Sequence, residues 1–145
     1  MTQTENKLQV KKLDPNAILP KRQTSESAGY DICSIEDYLI PPHGRQLIDT
    51  GLSITVPIGT YGQIAPRSGM SCKGTHVGAG VIDRDYTGHV KVLLFNLNSS
   101  ESITISKGDR VAQLLLKHIS LSDVVEVEEL DTTERGDGGF GSTGV

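Results

Sequence analysis

Two aspartates, Asp83 and Asp85, and one tyrosine, Tyr86, stand together in the run GAGVIDRDYTGHV at residues 78 to 90, with glycines at 78, 80 and 88 beside them. A carboxylate can orient a water and take its proton as that water attacks an electrophile. Residues without Cβ let another molecule approach the main chain, so N–H and C=O groups near Gly80 could read the edge of a base-sized ligand. Tyr86 could stack on or gate that ligand, with Asp83 holding the water. The plainer alternative is a solvated turn, because Asp and Gly form turns in any setting. Apolar arms at residues 80 to 82 and 89 to 93 predict that the stretch is a β-hairpin with its polar residues at the tip.

The rest of the chain must position that tip. Its 145 residues suit one domain that buries a core without disulfides. Sixteen glycines, few aromatics and no 18-residue apolar run indicate a soluble, turn-rich, mostly β protein with no membrane segment. A net charge of -4 speaks against a protein that coats nucleic acid, since phosphate backbones are bound by clustered Lys and Arg. An anionic ligand must then be held by placed donors or a metal. Cys33 and Cys72 form no CxxC pair and the N-terminus carries no charged-then-apolar leader, which fits a cytoplasmic or nuclear location. The histidines at 43, 76, 89 and 118 have no zinc-ligand spacing.

Short apolar runs separated by Gly or Pro recur along the chain. Strands are expected around Leu8, Val10 and Leu13, at residues 38 to 40, 46 to 48, 52 to 56, 61 to 65, 93 to 96, 103 to 105 and 110 to 118, with a last one at 124 to 127. This spacing belongs to a β-sandwich or barrel, not to βαβ units. One short helix is expected near Met70, with Ser68 as its cap. Residues 1 to 6 are polar and expected to be disordered. Residues 1 to 134 then form the β domain, and residues 135 to 145, rich in glycine, a mobile tail.

Two motifs are misleading. Gly136-Asp137-Gly138-Gly139-Phe140-Gly141 fits GxGxxG, but no helix can follow it before Val145, so the dinucleotide-binding interpretation fails. Asp49-Thr50-Gly51 after Leu47-Ile48 is the tripeptide of a retroviral-type aspartic protease, which would need two copies to bring two carboxylates together. A turn at Thr50-Gly51 between two strands is the simpler account.

Five blocks in one order carry more weight: AGYDI at 28 to 32, PRSGM at 66 to 70, GAGVIDRDYTG at 78 to 88, GDRVAQLLL at 108 to 116 and RGDGGFGSTG at 135 to 144. Together they closely resemble the five motifs of the trimeric dUTP pyrophosphatases, over residues 28 to 144. The resemblance implies an all-β, jelly-roll-like distorted barrel with one short helix and a flexible Gly-rich tail. It also implies a homotrimer with sites shared between subunits, and Mg²⁺-dependent hydrolysis of dUTP to dUMP and pyrophosphate, which keeps uracil out of DNA and supplies dUMP for thymidylate synthesis.

Residue by residue, the resemblance assigns Asp31 to Mg²⁺ through a water, and Arg67, Ser68 and Gly69 to the phosphates. Arginine suits that task because its fork donates to phosphate bidentately. Asp83 would activate the water that attacks the α-phosphorus, and Gln113 would hydrogen-bond near the α-phosphate and that water. Gly80 and Val81 would pair with uracil through their backbone, and Tyr86 would sit under the deoxyribose and exclude a 2′-hydroxyl. In the tail, Arg135 would clamp the γ-phosphate, Phe140 would stack on uracil, and Gly141, Ser142 and Thr143 would wrap the triphosphate as the tail closes. Asp85 remains a turn former or structural pair, while Asp109 and Arg110 fix strand ends or subunit contacts.

The match has departures. Ser71-Cys72 follow PRSGM where small apolar residues are usual, Met70 replaces a common Leu, and the segment from 68 to 78 is one residue shorter than in many relatives. A binding module of the same fold that had lost catalysis would lack Asp83, Gln113, Arg135 or Phe140, and all four are present. A related deaminase would carry an added carboxylate block, for which there is no obvious counterpart.

Overall fold

Along β8 (Val90–Asn96) every second residue, Val90, Val92, Leu94 and Asn96, is buried, and β5 (Thr60–Ala65) shows the same alternation. That period of two is what a pleated strand imposes when one face meets a core. In the computed structural model, which describes residues 3 to 141, ten strands and one short helix result. The first sheet has the order β1-β4-β8-β6, adding β1 (Gln9–Lys12), β4 (Arg45–Thr55) and β6 (Thr75–Gly78) to β8. The second has the order β2-β10-β5-β7, with β2 (Tyr30–Cys33), β10 (Arg110–His118) and β7 (Val81–Ile82). A third pair joins β3 (Tyr38–Ile40) to β9 (Ile103–Ile105).

Every pairing is antiparallel. The core contains Ile48, Val92 and Leu94 of the first sheet, Ile32, Ile64 and Leu114 of the second, and Ile40 and Ile105 of the third. The architecture is all-β, as expected, with open sheets among the described residues and no closed barrel. Cys33 belongs to the buried set. Burial pushes its thiol up, and the neighbouring Asp31 charge adds to that effect.

Several local expectations need correction. Residues 80 to 82 and 89 to 93 do not pair as the two arms of a hairpin. β7 adds to the edge of β5, whereas β8 pairs with β6 and β4, so the polar stretch between them passes from one sheet to the other. Alternation specifies which face a strand buries, not which strand it meets. Thr50-Gly51 is no turn. β4 runs unbroken from Arg45 to Thr55 and absorbs both residues as a bulge between Asp49 and Leu52, with Gly51 at φ 65°.

Ser68 caps nothing. It is the first residue of α1 (Ser68–Cys72), Arg67 occupies the cap position in extended conformation, and no side chain caps the helix. Gln3–Asn6 forms one 3-10 turn, anchored by the Ile58 amide donating to the Glu5 carbonyl at 2.9 Å. Residues 124 to 127 form no strand. Val124 and Val125 are 99% and 78% exposed.

Candidate functional site

β10 lies between β2 and β5, and the two registers meet at one residue. Gln113 is opposite Asp31 on one side and Ala65 on the other. Since Ala65 leads directly into Pro66 and Arg67, three separate sequence blocks reach one row of the sheet. The Gln113 side-chain amide donates to the Pro66 carbonyl at 2.8 Å. Arg67 Nε donates to Asp31 Oδ1 at 3.1 Å, and its terminal nitrogen to the Arg110 carbonyl at 3.3 Å. Asp31 Oδ2 accepts from Gln23 Nε2 at 2.7 Å and lies 3.7 Å from Arg110.

These groups line a concavity of about 290 Å³ bordered by Gln23, Gly29, Asp31, Arg67, Ser68 and Gln113. Gly69 and Arg110 line an adjoining hollow of about 480 Å³ that shares Arg67 with the first. The electrostatic character follows from a count of charges. Arg67 and Asp31 balance within the first, and over the two adjoining hollows together Arg67, Lys73 and Arg110 face Asp31 and Asp109, which leaves one positive charge for an anion.

Sequence inspection overlooked two residues of this cluster. A Cβ on Gly29 would lie 2.1 Å from Gln113 Oε1, so the glycine beside Tyr30 is what lets the glutamine enter the row. Its position inside AGYDI was the available signal. Gln23 carries none, because a polar loop residue reaches Asp31 only through the bridge between Lys21 and Asp31.

The second cluster stands on the passage from β7 to β8. Gly80 adopts φ 99°, its carbonyl accepts from the Ile64 amide at 2.7 Å, and a Cβ there would lie 2.7 Å from the Ile64 carbonyl oxygen. Only glycine meets both demands. Since that carbonyl already serves the sheet, a base reader at this position draws on what remains of the Gly80 and Val81 backbone. The chain then turns, with the Tyr86 amide donating to the Asp83 carbonyl at 3.1 Å. The Tyr86 phenol crosses Gly88, where a Cβ would lie 2.6 Å from its oxygen, and donates to the His89 carbonyl at 2.8 Å. Gly80, Val81, Asp83, Tyr86 and His89 line a concavity of about 390 Å³, into which the exposed Asp83 and half-exposed Tyr86 bring a carboxylate and a ring.

Within one chain, then, Asp31, Arg67, Ser68 and Gln113 share one concavity, while Gly80, Val81, Asp83 and Tyr86 share another. The described tail residues join neither. Arg135 Nε donates to the Gly138 carbonyl at 2.7 Å, closing a local turn, and Phe140 is fully exposed with φ 52°. Gly141 is exposed at φ 80°, and Ser142 and Thr143 lie outside the described residues. Among the described residues no three of His, Cys, Asp or Glu come together as a metal cage, and no helix is long and apolar enough to cross a membrane.

Comparison with known proteins bears on what these clusters do. The dUTPase family model matches residues 15 to 144. A deoxyuridine 5'-triphosphate nucleotidohydrolase of Debaryomyces hansenii is 52% identical over 145 residues, covering 98% of this chain and 90% of that protein. The structure of Staphylococcus bacteriophage 80alpha dUTPase with dUPNHPP superposes with a TM-score of 0.89 at 33% identity, covering 97% of this chain and 99% of that one. A mutant dUTPase from phage phi11 of S. aureus, described as coordinating a structural Mg(II) ion, gives a TM-score of 0.81 at 29% identity over 88% of this chain and 100% of that one.

Proposed function

This chain belongs to the dUTPase family, and from that premise we propose that it hydrolyses dUTP to dUMP and pyrophosphate in sites completed between the copies of a homotrimer. The observation that carries the proposal is the cross-strand row of Asp31, Gln113 and Ala65. It gathers a carboxylate, an amide and the Arg67 guanidinium around one concavity suited to a polyphosphate.

In the reaction the Asp83 carboxylate orients a water and accepts its proton while the water oxygen bonds to the α-phosphorus. The bond from that phosphorus to the bridging oxygen breaks on the opposite side, and pyrophosphate leaves with the electron pair. Gln113, braced by Pro66, donates from its remaining amide hydrogen toward the α-phosphate. Arg67 and Ser68 hold phosphate oxygens by charge-assisted hydrogen bonds, with Gly69 allowing the backbone to come close. The Gly80 and Val81 backbone reads the uracil edge, and the Tyr86 ring takes the space that a 2′-hydroxyl would need. Arg135, Phe140, Gly141, Ser142 and Thr143 close over the nucleotide and exclude other water.

Asp31 fits a role toward Mg²⁺ through water better than direct ligation. It is a lone carboxylate, and both its oxygens already accept hydrogen bonds, from Arg67 and Gln23. Mg²⁺, held chiefly by the triphosphate, supplies neutralisation of phosphate charge. The trimer is supported by two features of the single chain. The phosphate-side and nucleoside-side residues line separate concavities, and Leu121, Val124, Val125 and Leu130 stand at least 78% exposed, as an apolar strip suited to a neighbouring copy. The proposed location is the cytoplasm or nucleus, without nucleic acid or membrane partners.

Pyrophosphate release from dUTP, dTTP, dCTP and UTP, measured in parallel with Mg²⁺, tests the assignment. Release from dUTP at least about a hundredfold faster than from the others is expected, since a site closed over its ligand discriminates strongly when a single group clashes or lacks its partner. Equal release from all four would remove base and sugar recognition from the account.

A further inference from the structure

The bulge in β4 lies directly against the limb that carries Tyr86. Two residues, Thr50 and Gly51, stand between Asp49, which pairs with Lys91, and Leu52, which pairs with the adjacent Val90. The insertion leaves the fully buried Thr50 hydroxyl donating to the Val90 carbonyl at 2.5 Å, and it also accepts from the Leu52 amide at 3.3 Å. Beyond the bulge, the Ser53 hydroxyl donates to the Thr87 carbonyl at 2.6 Å. His89 Nε2 lies 3.2 Å from Asp49 Oδ1 without the alignment of a hydrogen bond. The limb from Thr87 to Val90 is thus gripped at both ends by hydroxyls of one neighbouring strand, and between them the His89 carbonyl receives the Tyr86 phenol.

A bulge is a device for re-aiming side chains beside a site. Ordinary ladder pairing would not require a hydroxyl at either position. Here both hydroxyls bond carbonyls 34 and 40 residues away in sequence, immediately after the tyrosine whose ring faces the nucleoside concavity. We infer that Thr50 and Ser53 are positioning residues that fix the Tyr86 ring, and through it set the discrimination between deoxyribose and ribose. The inference rests on the proposed role of Tyr86 at the sugar.

The grip is tested in the full-length protein with Ser53→Ala, which removes one hydroxyl at the rim of the bulge, and with Ser53→Thr, which keeps it. Two readouts are taken: kcat/KM for dUTP and UTP in parallel, and amide hydrogen exchange over residues 84 to 90. Ser53→Ala is expected to lower the dUTP to UTP ratio about tenfold, the effect of about one positioned hydrogen bond. Exchange over 84 to 90 rises while the rest of β4 and β8 keeps its protection, and Ser53→Thr restores both readouts. Unchanged exchange with an unchanged ratio would overturn the inference, as would an equal loss of both substrates accompanied by general loss of protection. Failure of the Tyr86 assignment is separately visible. In that case the unsubstituted protein turns over UTP as fast as dUTP, which overturns the sugar-selecting role, while exchange over residues 84 to 90 still reports the grip itself.

Discussion

Asp83→Asn is expected to lower kcat for dUTP about a thousandfold while leaving dUTP affinity within about threefold, the range that loss of a positioned general base produces. The substitution keeps the shape of the side chain and removes its capacity to take a proton. Asp83 is exposed at the concavity, and its part in the fold is made by its backbone carbonyl, which accepts from the Tyr86 amide. An amide side chain leaves that turn in place. Single-turnover pyrophosphate release and calorimetric titration with a non-hydrolysable dUTP analogue check the two halves separately. A variant that retained a tenth of the rate would take the water-activating role away from this residue, and one that lost binding in proportion would make Asp83 a binding group.

Deleting residues 135 to 145 is expected to reduce kcat/KM for dUTP about a hundredfold, since the loss removes a guanidinium clamp and the ordering it provides. The melting temperature should stay within about 2 °C, as for exposed segments away from the core. The hydrogen bonds between Arg135 and Gly138 close their own turn, and Phe140 is fully exposed, so the β-sheets do not depend on them. Pyrophosphate release and thermal unfolding of the truncated protein check both quantities. Undiminished turnover would dismiss the tail from the site, whereas a large fall in melting temperature would make it part of the fold.

Where a property of the chain is local, the sequence makes it legible. β3, β9 and β10 were expected with the same bounds the structure gives them, because an alternating or apolar run between turn formers specifies a strand by itself. Partner choice is not local. The run from 78 to 90 looks like a hairpin, yet its two arms enter different sheets, and the alternation at 124 to 127 pairs with no strand of the described residues. The bulge at Thr50-Gly51 was misjudged for a related reason. Gly after Thr reads as a turn, but the buried hydroxyl bond to Val90, 40 residues away, and the pairing of Leu52 with Lys12 hold the strand through the bulge.

For the candidate site, Asp31, Arg67, Ser68 and Gln113 were legible as motif residues, and they do meet around one concavity. Gln23 and Ser53 were not, since each acts through a contact that exists only once the sheets are assembled.

The claim on which the account turns is that the Asp83 side and the Arg67 side of one working site come from different copies of the chain. Asp83→Asn and Arg67→Ala proteins, each inactive alone, can be unfolded together in equal amounts, refolded as a mixture and assayed for pyrophosphate release from dUTP. Sites that take Asp83 from one copy and Arg67 from another predict recovery to about a quarter of the unsubstituted activity, because each position is filled by an intact residue half of the time in a symmetric assembly. No recovery at any mixing ratio would mean that both residues act within one chain, and would contradict the shared site.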